Sequence, residues 1–280
     1  MTKETPVHLP EGYLDFFMQL ESWQNKQQIS LQKRLEPVRE NSLNISEATE
    51  PLLNIIDIDF DVDTYQKLYT GFLDFMLEDR SELSADLSLI RTAQSQFDWP
   101  SIIEEITNEN RSYFTNLANL YQLNPEVLLF TAEHSLRPLI RAFARLYYES
   151  WLEIGVKHWN SPASCPFCGS DAHISRIRNE DGRRFMFCER CFTEWEVRYL
   201  YCVHCNNDEP GSIRIMNLEN DTAHKLYLCE KCKSYMKTYD ERQTLQTVDM
   251  YIASVQTIYL DLLAEEKGYN GKSATNNNLY

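Results

Sequence analysis

The chain has 280 residues, 43% of them hydrophobic and 25% charged, and 42 Asp+Glu against 27 Lys+Arg give a formal net charge of −15. That length suits one or two globular domains, and the ordinary composition excludes low-complexity and collagen-like polymers. The acidic excess speaks against a nucleic-acid binder, which meets phosphate with clustered Lys and Arg.

In chain order, residues 1–10 read as a loose arm. The sequence opens without a basic region and apolar stretch, and no apolar run reaches the roughly 18–20 residues that span a bilayer. A cytoplasmic protein without stable membrane insertion is therefore expected. Residues 11–158 are expected to form an all-helical domain of five to seven helices, because apolar residues recur there at three- and four-residue steps. Tyr65, Leu68, Tyr69, Phe72, Leu73 and Met76 make one such stripe; Leu139, Ile140, Phe143, Leu146 and Tyr147 make another. Ser101–Glu104 reads as a capping box, and Asn124-Pro125-Glu126 as an N-cap followed by proline at the first helical position. The run from Val127 to Ala132 belongs in a packed helix. The stretch Glu36–Asp63, with prolines at 37 and 51, carries the weakest pattern.

Residues 159–164 form a short linker where composition changes abruptly, and 165–239 read as a tandem Cys₄ module with strands at 173–178, 184–187, 194–199, 212–217 and 224–228. Helical spacing returns in a C-terminal helix over 240–269, through Val248, Tyr251, Ile252, Val255, Ile258, Tyr259, Leu262 and Leu263. Residues 270–280 read as a frayed tail.

All eight cysteines fall in four Cys-x-x-Cys pairs: Cys165/Cys168, Cys188/Cys191, Cys202/Cys205 and Cys229/Cys232. Each such turn spaces two thiolates to grip one ion, and two turns complete a tetrahedral shell, so the set reads as two metal sites. In a reducing compartment, ligation is favoured over disulfides. An internal repeat guides the pairing. Cys165/Cys168, Ile174–Ile177 and Arg184–Cys191 recur as Cys202/Cys205, Ser212–Ile215 and Lys225–Cys232, in the order knuckle, strand, strand, knuckle. Sequential pairing follows, with Cys165, Cys168, Cys188 and Cys191 in site 1 and Cys202, Cys205, Cys229 and Cys232 in site 2. An interleaved cross-brace is the alternative. Residues 165–239 hold 11 Lys+Arg and 11 Asp+Glu, which leaves 16 and 31 elsewhere, so the module is neutral within an acidic chain.

Cys₄ geometry accepts zinc, as a structural staple, or iron, as an electron carrier, and spacing does not separate them. A nucleic-acid-binding ribbon is the third reading. With eight thiolates present, His173 and His204 are expected outside the ligand sets. Trp195, Tyr199 and Tyr201 are expected to cover the metal sites. Arg137 and Arg141, at i,i+4 beside Pro138, read as helix-face or salt-bridge residues, with a partner-binding role open. No phosphate-binding loop, nucleophile elbow or zinc-protease motif occurs, so no catalytic residue is assigned and a non-enzyme is expected.

Cys165-Pro-Phe-Cys-Gly-Ser170, the Cys188 knuckle with Thr193-Glu-Trp195 and Arg198, Cys202/Cys205, and Cys229/Cys232 with Lys237 together resemble the formate dehydrogenase accessory protein family, FdhE. So do His134–Ala142 and Leu260–Tyr269; the likeness covers roughly 134–270. The resemblance implies a cytoplasmic maturation factor that binds the catalytic subunit of a molybdenum- or tungsten-dependent formate dehydrogenase. It also implies iron in rubredoxin-like sites, two Fe ions in all, with Zn as the alternative. The chain departs from the family pattern at Asn206, where a small Gly-like residue is common, and in its divergent first half.

Overall fold

In a computed structural model the chain is α+β, with a helical N-terminal region, a sheet region carrying the cysteines, and C-terminal helices. The structure describes residues 9–35, 50–55, 60–154, 159–218, 221–244 and 247–271. Most of the expected arm, much of Glu36–Asp63 and all but the first two residues of the tail lie outside these. Seven α-helices precede the sheet among the described residues: α1 (Tyr13–Gln32), α2 (Leu52–Ile55), α3 (Val62–Asp79), α4 (Ser84–Ala93), α5 (Trp99–Thr107), α6 (Arg111–Tyr121) and α7 (Pro125–Ile154).

Residues 20–36 and 57–143 make one compact unit. Its core contains the α3 stripe, and all six of those side chains are buried. Trp99 packs edge-on against Tyr65 and Tyr69, with ring centroids 5.8 and 5.1 Å apart. The buried tyrosine hydroxyls are satisfied: Tyr65 donates to the Ala132 carbonyl at 3.0 Å, and Tyr69 meets the Thr131 hydroxyl at 3.1 Å. Asn124 caps α7, its Oδ1 accepting from the amides of Glu126 and Val127. Arg137 pairs with Glu133 one turn back, and the buried Arg141 with Glu21 at 2.7 Å. The expected capping box at Ser101 is displaced. Helix α5 begins at Trp99 behind Asp98, with Pro100 in its first turn, and the Ser101 hydroxyl donates to the Asp98 carboxylate at 2.6 Å. Proline's fixed φ favours the first turn, and that draws the start three residues upstream.

Residues 1–19, 37–56 and 144–280 make the second unit. The division falls within α1 and α7 and not at 159–164. The 30-residue α7 extends beyond the unit that buries its N-terminal half.

The second unit is built on one six-stranded sheet: β1 (Ile174–Ile177), β2 (Arg184–Phe187), β3 (Glu194–Val197), β4 (Ile213–Leu218), β5 (Asp221–Cys229) and β6 (Tyr235–Asp240), in the order β3-β2-β1-β6-β5-β4. Each copy of the repeat supplies three antiparallel strands. The two copies are joined by one parallel pairing, Ile174–Ile177 against Lys237–Asp240. Sequence reading finds five of these strands and misses β6, the one that joins the ribbons. The expected single C-terminal helix is instead a 3₁₀ turn at Glu241–Gln243 followed by α8 (Met250–Gln256) and α9 (Ile258–Glu266). Side chains compete with the helix backbone here. Asp249 accepts from the Tyr251 and Ile252 amides, and the Thr257 hydroxyl donates to the Ala253 carbonyl, closing α8. Helix α8 covers Ile174, Phe187, Ala223 and Tyr239, and α9 covers Leu226, Leu228 and Tyr235. No helix among the described residues is long and apolar enough to cross a membrane.

Candidate metal centres

The four Cys-x-x-Cys turns have one geometry. The residue after the second cysteine donates its amide to the carbonyl of the first: Gly169 to Cys165, Phe192 to Cys188, Asn206 to Cys202 and Lys233 to Cys229, at 2.8–3.0 Å. Those four residues all take positive φ, +80°, 63°, 57° and 59°. The first cysteine's amide then reaches the carbonyl one residue further on, at Ser170, Thr193, Asn207 or Ser234. The left-handed residue turns the backbone so that both thiols face inward. Asparagine tolerates this conformation, so the departure at Asn206 is locally accommodated.

The sulfurs gather in chain order. Cys165, Cys168, Cys188 and Cys191 form one cluster and Cys202, Cys205, Cys229 and Cys232 the other, all sulfurs in each lying within 4.8 Å of one another. Sγ–Sγ distances of 3.4 Å (Cys165–Cys191), 3.5 Å (Cys168–Cys188), 3.6 Å (Cys202–Cys232) and 3.8 Å (Cys205–Cys229) far exceed a disulfide bond. They approach the edge, about 3.8 Å, of a tetrahedron whose metal–sulfur bonds are about 2.3 Å. His173 and His204 belong to neither cluster.

The donor chemistry also fits a cation. The hydroxyls of Ser170, Thr193 and Ser234 lie 3.4, 3.1 and 3.0 Å from Cys168, Cys191 and Cys232. The amides of His204 and Cys205 donate to the Cys202 sulfur. Burial, which penalises the charged thiolate, pushes the Cys165 and Cys188 thiols well above their usual range, and neighbouring thiols add to the rise. A cation at the centre relieves that cost. Burial would raise Cys232 as well, but hydrogen bonds from the Ser234 hydroxyl and amide bring it down to about 7. Site 1 is closed, whereas Cys205 and Cys232 leave site 2 partly open to solvent.

The surrounding residues divide. Trp195 is buried, its indole donating to the Pro162 carbonyl at 3.0 Å. Tyr201 is buried and shares a small cavity with Cys202. Tyr199 does not match the expected cover: it is 41% exposed and accepts from Arg242. His204 donates Nε2–H to the Tyr235 carbonyl, and burial lowers its pKa, which favours a neutral ring. Sequence reading missed the hydroxyl two positions after the knuckle, although Ser170, Thr193 and Ser234 repeat it. It also missed Leu52 and Leu53, whose amides reach the Pro166 and Phe167 carbonyls of the first knuckle at 2.9 and 2.8 Å.

A family model described as "FdhE, central domain" matches residues 164–198, which hold the first cluster and β1–β3. Over this stretch the chain resembles the FdhE family. It is 29% identical over 154 residues to the "Protein FdhE homolog" of Aquifex aeolicus, covering 52% of this chain and 50% of that protein. It is 34% identical over 108 residues to that of Pasteurella multocida, covering 37% of this chain and 34% of that protein. The matched region thus spans half or less of these relatives. The crystal structure of the FdhE protein from Pseudomonas aeruginosa shares the fold, with TM-score 0.59 at 18% identity over 94% of this chain and 88% of that one.

Proposed function

We propose that the chain is a non-catalytic maturation factor that binds an immature formate dehydrogenase catalytic subunit, of the molybdenum- or tungsten-dependent kind. Each Cys₄ cluster holds one transition-metal ion, iron or zinc. The observation that carries this reading is the pair of Cys₄ clusters set on one sheet, in a chain whose residues 164–198 match an FdhE family model. Cys165, Cys168, Cys188 and Cys191 would hold the first ion, and Cys202, Cys205, Cys229 and Cys232 the second. When bound, each ion closes a four-sulfur shell and lends folding free energy to a module of short strands. The residues do the rest: knuckle amides and hydroxyls orient the thiolates, and the sheet presents a fixed surface to the client.

Co-purification of a formate dehydrogenase catalytic subunit with the tagged chain tests the reading. Normal formate dehydrogenase activity in a strain lacking the gene refutes it. The partly open second cluster favours one further reading, an iron centre that passes electrons. Metal analysis with an absorption spectrum decides, because only ferric Cys₄ gives visible charge-transfer bands; colourless, zinc-loaded protein removes it.

A further inference from the structure

Arg184 is the last residue type expected inside a sheet module, yet it is 1% exposed. It stands on β2 and its guanidinium extends across the parallel seam. Nε donates to the Ser175 hydroxyl of β1 at 3.1 Å, Nη2 to the Thr238 hydroxyl of β6 at 3.5 Å, and the group lies 4.4 Å from the ring centre of Tyr227 on β5. No carboxylate pairs with it among the described residues, and Nη1 has no hydrogen-bond partner there. The repeat sharpens the contrast. The matching residue of the second copy, Lys225, pairs with the buried Asp240 at 2.6 Å. Where Asp240 stands in that copy, the first has Tyr199.

A buried cation without a counter-ion is costly, and two hydroxyls and an aromatic face do not neutralise it. What it does have nearby is site 2. Arg184 lines one small cavity with Cys202, Cys229, His204 and Ser234. We propose that Arg184 is a positioning residue for the second metal centre, the internal counter-charge to a metal–tetrathiolate group whose net charge is about −2 for a divalent ion. The first ribbon would thereby lend its charge to the second ribbon's site. This inference rests on the metal reading above.

The test uses the full chain loaded with Zn²⁺ alone and titrated with a chromophoric chelator, with alkylation of freed cysteines assigning each ion lost. Arg184→Met is expected to hold the first ion as wild type does and the second about tenfold more weakly, the scale of other outer-shell losses. Arg184→Lys, which keeps the charge, is expected to recover most of that affinity. Three results overturn the counter-charge role: a Met variant that holds both ions as wild type does, one that weakens both ions alike, or a Lys variant no better than Met. Wild-type chain that takes up no zinc in either cluster refutes the metal reading itself, and the counter-charge with it.

Discussion

Replacing Lys237 by methionine should loosen the C-terminal helices from the sheet. Lys237 lies on β6 with its side chain 4% exposed, its ammonium 2.7 Å from the Asp261 carboxylate of α9 and 3.0 Å from the Ser254 carbonyl of α8. At an effective dielectric constant of about 20, a pair at 2.7 Å is attracted by roughly 6 kcal/mol, much of it offset by desolvation. Breaking a fully buried pair costs about 3–5 kcal/mol. Asp261 keeps some solvent, at 23% exposure, and keeps the Tyr235 hydroxyl at 2.9 Å, so the cost here should be about 2–3 kcal/mol. For a unit of this size that lowers Tm by about 4–12 °C. The assay is urea and thermal denaturation of the metal-loaded chain, for Lys237→Met, Asp261→Asn and the double variant. The double variant should lose less than the sum of the singles, by about 1–2 kcal/mol. A Lys237→Met chain within about 0.5 kcal/mol of wild type, or singles that simply add, would refute the reasoning.

Gly169→Ala should destabilise the first knuckle by about 1–2 kcal/mol, since φ is +80° and the new Cβ would sit 3.0 Å from Pro51; unchanged urea stability and site 1 metal content would contradict this. Asn206→Gly, at an exposed position with φ 57°, should be neutral or stabilising by up to about 1 kcal/mol, checked by the same melts. In metal-free protein, alkylation followed by mass spectrometry should find Cys205 and Cys232 modified before the four buried cysteines of site 1; the reverse order would overturn the exposure argument. Burial would raise the Asp240 carboxylate, but hydrogen bonds from Arg242 and Lys225 hold it at about 2. Its folded pKa lies below its unfolded value near 4, so its contribution is present above about pH 4 and is lost as pH falls toward 2. Asp240→Asn should flatten the stability–pH curve over that window, and an unchanged slope would count against it.

What could be read beforehand follows from where the physics is local. The cysteine turns repeat a fixed backbone motif, so their number was legible from spacing, while their chain-order grouping rested on the internal repeat, against an interleaved alternative. The α3 stripe announced itself because one face of that helix is buried and the other wet. Strand β6 hid for the opposite reason. All six residues from Tyr235 to Asp240 are buried, so no alternation survives, and Lys237, Thr238 and Asp240 look like loop chemistry until their partners across the sheet are known. The repeat held the missing clue, since Cys191-Phe-Thr-Glu-Trp195 leads into β3 as Cys232-Lys-Ser-Tyr-Met236 leads into β6. Helix α2 and Arg184 escaped because four residues carry no period, and because a basic residue on a strand normally reads as surface.

The parallel seam between β1 and β6 also decides what this protein can lose. A tandem repeat joined end to end could be trimmed to one copy and keep a finished sheet. Here, deleting the second copy would strip β1 of its inner neighbour and leave a central strand with unpaired amides and carbonyls. Such a half-protein would recruit a substitute strand from another chain. The two ribbons thus complete one sheet, and neither is spare.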